Sequence, residues 1–588
     1  MTKIFLYFTY FNPQLVSFHE TDNMKTLHNL MQLSSIFLLF GCATPNPIFP
    51  ENMTSIDKAA IYVKAAAPLF EGMGQHQHII TTSVPAAQLY FDQGLVLAFG
   101  FNHAEAIRSF KAAQRLDPEC AMCFWGEALA TGPNINVTSK GKAVMSSGER
   151  KSAYTALLQA LVLGSNASIA EQDYINALAT RYDGNPGSDR TLLDIAYANA
   201  MRELTKKYPA DNDAAALFAE ALMNTMPWDY WVDAEHPKPA TQEVIDTLEN
   251  IMARQPKHPL ALHLYIHAVE ASTNPGRAEV AADTLANLVP ASGHLVHMPA
   301  HIYWRVGRYN DAVQANIQAA SVDEEYIAQC NAQGFYPALY YPHNIHFLWA
   351  ASSMMGNSKL AIESARKVAL NVRLEMIEQF PTVEFFKTIP ILALTQFGHW
   401  DEILAEPMPP AKYQYSNAIQ HYARGIALLR RNDVKAAHAE LNALQPLMDT
   451  DIIHTLDGSD YPASVLLSIA EHLLKGEIAL SEGKSAEAIS HFTLAVTEQD
   501  TLPYTEPPFW YYPTRQSLGQ ALIQAKKFAA AEQVYRKDLQ AYPKNGWSMF
   551  GLVQSLQAQN KQQEADKVQE MFNIVWNMAD IKLEASRL

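Results

Sequence analysis

The sequence predicts an all-α fold made of stacked helix pairs. Alanine-rich segments with apolar residues three and four apart run through nearly the whole chain, and alternating β-branched runs are scarce. A recurrence adds to this: the segment from Tyr90 to Pro118 and the segment from Gly519 to Pro543 carry small, aromatic and proline residues at the same offsets of a 34-residue unit. At 588 residues the chain is too long for one small core. Stacking removes that limit, because each unit buries its apolar face only against its neighbours.

Each repeat slot has a physical reason. With Gly94 at position 8, Ala106 falls at 20, Phe110 at 24, Ala113 at 27 and Pro118 at 32. Gly519, Ala531, Tyr535 and Pro543 fill positions 8, 20, 24 and 32 near the other end, while Asp538 breaks the pattern at 27. Two antiparallel helices approach closely where these residues are small or aromatic, and proline follows a helix end. In these motifs the chain resembles the tetratricopeptide repeat (TPR) family, over most of residues 85 to 580, with degenerate units between Thr131 and Arg254. The resemblance implies an α-solenoid whose concave groove binds a protein or peptide. Four regions are expected: 1–41 as an upstream extension and signal segment, 42–84 as a tether and linker, 85–390 as an N-terminal array and 391–588 as a C-terminal array.

The first region is read from Met24 onward, which is expected to be the true start. One lysine precedes an apolar stretch from Leu30 to Phe40, and Leu39-Phe40-Gly41-Cys42 follows. The apolar run is too short for a permanent membrane span. This arrangement looks like a bacterial lipoprotein signal, which implies that Cys42 is lipidated and becomes the mature N-terminus; a buried helix is the alternative. Under the same resemblance, Ala43 in place of Asp implies sorting to the periplasmic face of the outer membrane, so the expected place is the cell envelope, with a lipid anchor. The net charge is −16, which disfavours nucleic acid as the main partner and leaves cationic ligands and metal ions open.

The histidines gain meaning from the repeat phase. Gly307, Tyr309, Ala312 and Ala319 at positions 15, 17, 20 and 27 put His294, His297 and His301 at 2, 5 and 9. The same phasing puts His343 and His346 at 2 and 5 of the next unit, and His263, His267 and Glu270 at 5, 9 and 12 of the preceding one. Spacings of three and four set side chains on one helix face, whatever the family. Family resemblance implies that these positions face the concave groove. His294 and His343 are 49 residues apart, so a turn-rich insertion of 15 is expected to be looped out between Glu324 and Tyr341. Pro299 is expected to kink the helix or start it late.

Seven imidazoles and a carboxylate from neighbouring helices are a candidate site for a transition metal such as Zn, Cu or Fe. Asp323 and Glu324 are further candidate ligands or acceptors for ring N–H groups. A peptide-binding groove and a structural polar network are the other readings. His263-Leu264-Tyr265-Ile266-His267 has the histidine spacing of a zinc protease helix but lacks its glutamate, which excludes that chemistry. Upstream, Gly72-Met73-Gly74-Gln75-His76-Gln77-His78 is a linker, or an extended strand whose two histidines point to one side and add ligands over the groove. Cys120-Ala121-Met122-Cys123 lacks the following histidine that haem attachment needs, and is read as packed helix-start cysteines or a local disulfide. Pro227 to Trp231 and Glu506 to Pro513 are aromatic segments that plug the repeats or line a pocket.

No motif names a reaction, so no catalytic residue is assigned. Two functions follow from the residues. One is a lipid-anchored scaffold that binds a protein or peptide and carries a metal-dependent histidine element. The other is a metalloprotein that acts on a small substrate at the histidines or passes metal on.

Overall fold

The computed structural model describes residues 55–139, 142–330 and 335–588. Cys42 and the whole 1–41 segment lie outside the described residues. The described residues form one compact unit. Within it helices follow one another from Ser55–Ala65 to Gln562–Val575, and among the described residues the strands are two short antiparallel ribbons, Thr138–Ser139 with Lys142–Ala143 and Trp231–Asp233 with His236–Pro237. The architecture is a TPR-like helical solenoid. Among the described residues no helix is long and apolar enough to cross a membrane.

A glycine and an aromatic side chain set three of the helix hairpins. In the first unit, helices Pro85–Phe99 and His103–Leu116 pack so that the buried Phe110 ring lies against Gly94 and, in the next helix Ala121–Thr131, against Gly126. A Cβ at Gly126 would sit 2.4 Å from the Phe110 ring. Tyr535 repeats the device between Gly519 and Gly551, and Phe492 repeats it over Gly476, each aromatic sixteen residues after its first glycine. The aromatic at position 24 thus fills the space that the missing side chains vacate, and so fixes how close three successive helices come. Asp538, which breaks the pattern at position 27, is fully buried, with Ser548 Oγ donating to it at 2.5 Å and Asn545 Nδ2 at 3.3 Å.

Two expectations are corrected. Of the extra residues between Glu324 and Tyr341, those described do not form a turn-rich loop. They extend one helix, Tyr309–Cys330, and then form a π-helical turn, Tyr336–Tyr340, that runs straight into Tyr341–Met354. Residues 65–80 are not a free linker either. Ala65 and Ala67 are buried, the Phe70 amide donates to Gln93 Oε1 at 2.7 Å, and the Ala291 amide donates to Gly72 O at 3.1 Å. Pro299 divides the stretch as expected: Gly293–His297 ends at Met298, which keeps helical torsions, and Pro299–Arg305 starts a second segment. Proline at a first helical position loses an N–H that had little to bond to. Cys120, the N-cap of Ala121–Thr131, is joined to Cys123 by a disulfide.

Candidate metal centre

Four helical segments bring the predicted histidines together. Pro259–Val269 carries His263 and His267, Gly293–His297 carries His294 and His297, Pro299–Arg305 carries His301 and Tyr341–Met354 carries His343. One donor atom from each of His263, His267 and His294 lies within 4.8 Å of the others, and the same holds for His297, His301 and His343. Except for His343, which is half-buried, these rings are at most 3% exposed.

The hydrogen bonds reveal which ring nitrogen is free. His263 Nδ1 donates to the Phe99 carbonyl at 2.7 Å, His267 Nδ1 to Glu270 Oε1 at 2.7 Å, and His297 Nδ1 to Asn316 Oδ1 at 2.7 Å. His301 Nδ1 donates to Glu270 Oε2, also at 2.7 Å. Four imidazoles are therefore fixed through Nδ1 and present Nε2 to the interior. Nε2 of His263 and of His267 has no hydrogen-bond partner, and neither nitrogen of His294 has one. Buried polar atoms left unpaired are rare because burial without a partner is costly. A metal-ligating histidine has this arrangement, with one ring nitrogen bare toward the ion and the other tied to an acceptor.

Electrostatics keep most of these rings neutral. Burial pushes His263, His294, His297 and His343 well below the usual histidine range, the neighbouring imidazoles adding to the effect. Burial also lowers His267, against its bond to Glu270. His301 differs: burial opposes its charged form, but the carboxylates of Glu270 and Glu506 outweigh it and push it up to about 10. Glu270 is held below the usual carboxylate range by His301 and His267 despite its burial.

The remaining sequence candidates are placed differently. Glu270 sits behind the histidines, with both oxygens taken by Nδ1 atoms. His346 does not join either set; its ring stacks on Trp349 at 5.2 Å and meets Phe385 and Phe386 at 5.4 and 5.5 Å. Asp323 accepts from Tyr336 Oη at 2.9 Å and Asn344 Nδ2 at 2.7 Å, and Glu324 pairs with Lys367 at the surface, so neither reaches the rings. His76 and His78 do fold inward, but onto another carboxylate: His76 Nε2 is 3.0 Å and His258 Nε2 3.1 Å from Asp213 Oδ1, and His78 Nδ1 is 2.7 Å from Oδ2. His258 caps its helix, with Nδ1 accepting the Ala261 amide, so its Nε2 carries the proton that Asp213 accepts.

Two aromatic residues in left-handed backbone conformation flank the rings. Phe101, at φ 57°, lies 4.5 Å from the His263 ring centroid, and Trp228, at φ 61°, lies 5.1 Å from His267. Bulky side chains at such angles are held against strain by their surroundings, a pattern concentrated at functional sites.

A cavity of about 730 Å³ opens on the rings. His267, His294, His301, His343 and His346 line it together with Trp228, Tyr340, Phe385, Tyr461, Tyr504, Glu506 and Phe509. Both aromatic segments noted in the sequence therefore wall the pocket. Glu506 Oε2 comes 3.4 Å from His301 Nδ1, and burial pushes its carboxyl up to about 7. Tyr504 Oη donates to Glu506 and, at 3.2 Å, approaches Glu270. Asn316, Tyr504, Asp213 and His258 were not singled out in the sequence, and Glu506 was named only as the start of a segment that plugs the repeats or lines a pocket; only His258, between a proline-bounded loop and a helix start, left a local trace as an N-cap.

No protein-family model matches the chain, and no curated protein matches it. Solved structures similar to it include the human IFIT1 dimer with m7Gppp-AAAA, at 12% identity over 84% of this chain and 91% of that one, TM-score 0.30. Yeast Tom70 is similar at 12% identity over 83% of this chain and 92% of its own, TM-score 0.27. The TPR domain of P58(IPK) is similar at 12% identity over 81% and 99%, TM-score 0.20. The fold rests on the chain's own glycine-aromatic hairpins: it is a TPR-like helical solenoid with a buried cluster of six histidines at the floor of an aromatic pocket.

Proposed function

We propose that the chain is a metalloprotein in which transition metal, held by buried imidazoles, acts on a small organic molecule admitted to the adjoining pocket. The observation that carries this reading is the set of Nδ1 atoms tied to acceptors while the Nε2 atoms of His263 and His267 and both nitrogens of His294 stay bare. Neutral imidazole is the commonest protein ligand for zinc, copper and iron, and ligands on packed helices need little reorganisation to bind. The pocket volume falls in the range that suits small ligands, and its walls of Trp228, Tyr340, Phe385 and Tyr461 favour a substrate with an apolar or aromatic body.

A protein or peptide partner, as a TPR scaffold leads one to expect, would be met by other surfaces, because the histidines face inward. We place the protein in the cell envelope, anchored through Cys42. Leu39-Phe40-Gly41-Cys42 supports this, and the Cys120–Cys123 disulfide suits an oxidising compartment.

The test is elemental analysis of untagged protein beside a His294→Ala/His297→Ala/His301→Ala variant. Bound transition metal that disappears in the variant is the expected result. No metal in either protein after incubation with zinc, copper and iron salts would overturn the proposal.

A further inference from the structure

We infer that the cluster is two neighbouring metal seats of three imidazoles each, His263, His267 and His294 in one and His297, His301 and His343 in the other, so that the loaded protein holds two ions facing one pocket. This rests on the metalloprotein reading above and concerns how many ions the histidines hold and where.

The grouping comes from distances. Each triad has its three donor atoms within 4.8 Å of one another, and the two triads share no residue. Among the described residues, the one close grouping that draws on both triads joins His267 to His301 through Glu270. That carboxylate takes the Nδ1 atoms of both rings, and so lies behind the two seats and not within one of them.

Each triad has a similar construction. A pair of histidines four residues apart, His263 with His267 or His297 with His301, comes from one helical path, and a third comes from a following segment. Four-residue spacing stacks two rings on one face, and the third ring closes the set from another side. In the second triad His297 Nε2 and His301 Nε2 are 2.9 Å apart. Two nitrogens bound to the same ion at about 2.0–2.1 Å, in adjacent positions, lie about 3 Å apart. His297 and His301 both donate through Nδ1 to oxygens, so the proton that the charged His301 ring shares with His297 between the two Nε2 atoms occupies the place a common cation would take on displacing it.

The seats are side by side. The rings of His267 and His301 are 5.5 Å apart between centroids, and those of His294 and His297 are 5.9 Å apart. Members of both triads line the cavity, His267 and His294 from the first and His301 and His343 from the second. Three protein ligands per ion leave a coordination position for a water or a substrate atom, as in catalytic and not purely structural sites. Two such ions at one wall can hold two atoms of one substrate at once.

The decisive experiment counts ions in the full, untagged chain loaded with zinc or copper sulfate and desalted. Two paired variants are compared with it, His263→Ala/His294→Ala and His297→Ala/His343→Ala, together with the combination of all four. The expected counts are two ions in the parent, one in each pair and none in the combination. Glutamine versions of both pairs, which keep more of the volume, serve if an alanine pair fails to fold by circular dichroism. One ion in the parent, lost in either pair, would leave the metalloprotein reading standing and overturn the two-seat inference. Two ions in the parent, with one surviving in the fourfold variant, would place that ion elsewhere and also overturn it. No ion in the parent would overturn both.

Discussion

His267 and His301 share one carboxylate: each Nδ1 lies 2.7 Å from a different oxygen of Glu270. The two residues come from different helices, so Glu270 sets the tautomer and the angle of one ring in each triad at once. Outer-shell partners of this type typically contribute 10- to 100-fold to metal affinity. Glu270→Gln offers one acceptor oxygen and one amide donor, so only one of the two rings keeps its anchor. Affinity measured by competition with a chelator should fall about 10- to 100-fold with helix content unchanged. Unaltered affinity would mean that Glu270 does not orient the ligands.

His346 tests the boundary of the cluster. Its repeat position matches that of a ligand, yet its ring is enclosed by Trp349, Phe385 and Phe386, and burial pushes it down to about 3. His346→Phe should keep the metal content of the parent and cost less than about 1.5 kcal/mol of stability, the usual range for a swap of similar volume. It should change binding of aromatic probes, because His346 lines the pocket. An ion lost from this variant, read by elemental analysis, would return His346 to the ligand set.

Packing at the glycines is equally exposed to test. Gly126→Ala places a methyl 2.4 Å from the Phe110 ring, and Gly551→Ala places one 2.2 Å from Tyr535. Overpacking of this kind costs about 1–3 kcal/mol. Hydrogen exchange should speed up in the helices Pro85–Phe99, His103–Leu116 and Ala121–Thr131 for the first variant, with the far end of the chain unaffected, because a repeat protein loses stability locally. Adding Phe110→Leu should restore part of the protection. Loss spread evenly along the chain would show that the hairpins do not act as units.

What was legible in the sequence is what depends on local spacing. His263 with His267 and His297 with His301 are read from a helical turn, and Gly94 with Phe110 from a repeat of fixed length. Glu506 and Tyr504 escaped because they arrive from the far end of the chain: Tyr504 meets Glu270 across 234 residues. Nothing in the local pattern of Glu506 to Pro513 tells a plug from a pocket wall. Asn316 is hidden for a different reason, since an asparagine on the second helix of a unit looks like an ordinary polar residue until His297 is seen against it at 2.7 Å. His76 and His78 were found as a pair, but their partner Asp213 lies 135 residues from His78, and so their distance from the triads could not be read. The helical extension after Glu324 was misjudged because a fixed repeat length makes any surplus look like a loop, whereas extra turns lengthen a helix at little cost.

Asp538 gives the chain a pH dependence of known sign. Burial pushes its carboxyl up to about 7 from an ordinary 3.8, since Ser548 and Asn545 solvate the charge only in part. A group whose folded-state value is raised binds its proton more tightly in the folded state. Its contribution is complete below about pH 3.8 and is lost as pH rises toward 7, above which the loss is level. Three pH units correspond to on the order of 4 kcal/mol. Asp538→Asn removes the ionisation and keeps an oxygen for Ser548. Relative to the parent, the variant should therefore gain stability steadily between pH 4 and 7, by an amount of that order, and hold a constant advantage above it. Denaturant midpoints measured for both proteins from pH 4 to 8 isolate the effect, because every other titrating group is common to the two. Parallel midpoints across that range would show that Asp538 ionises in the folded chain as readily as in the unfolded one, and that its carboxylate is solvated by more than the two donors seen beside it.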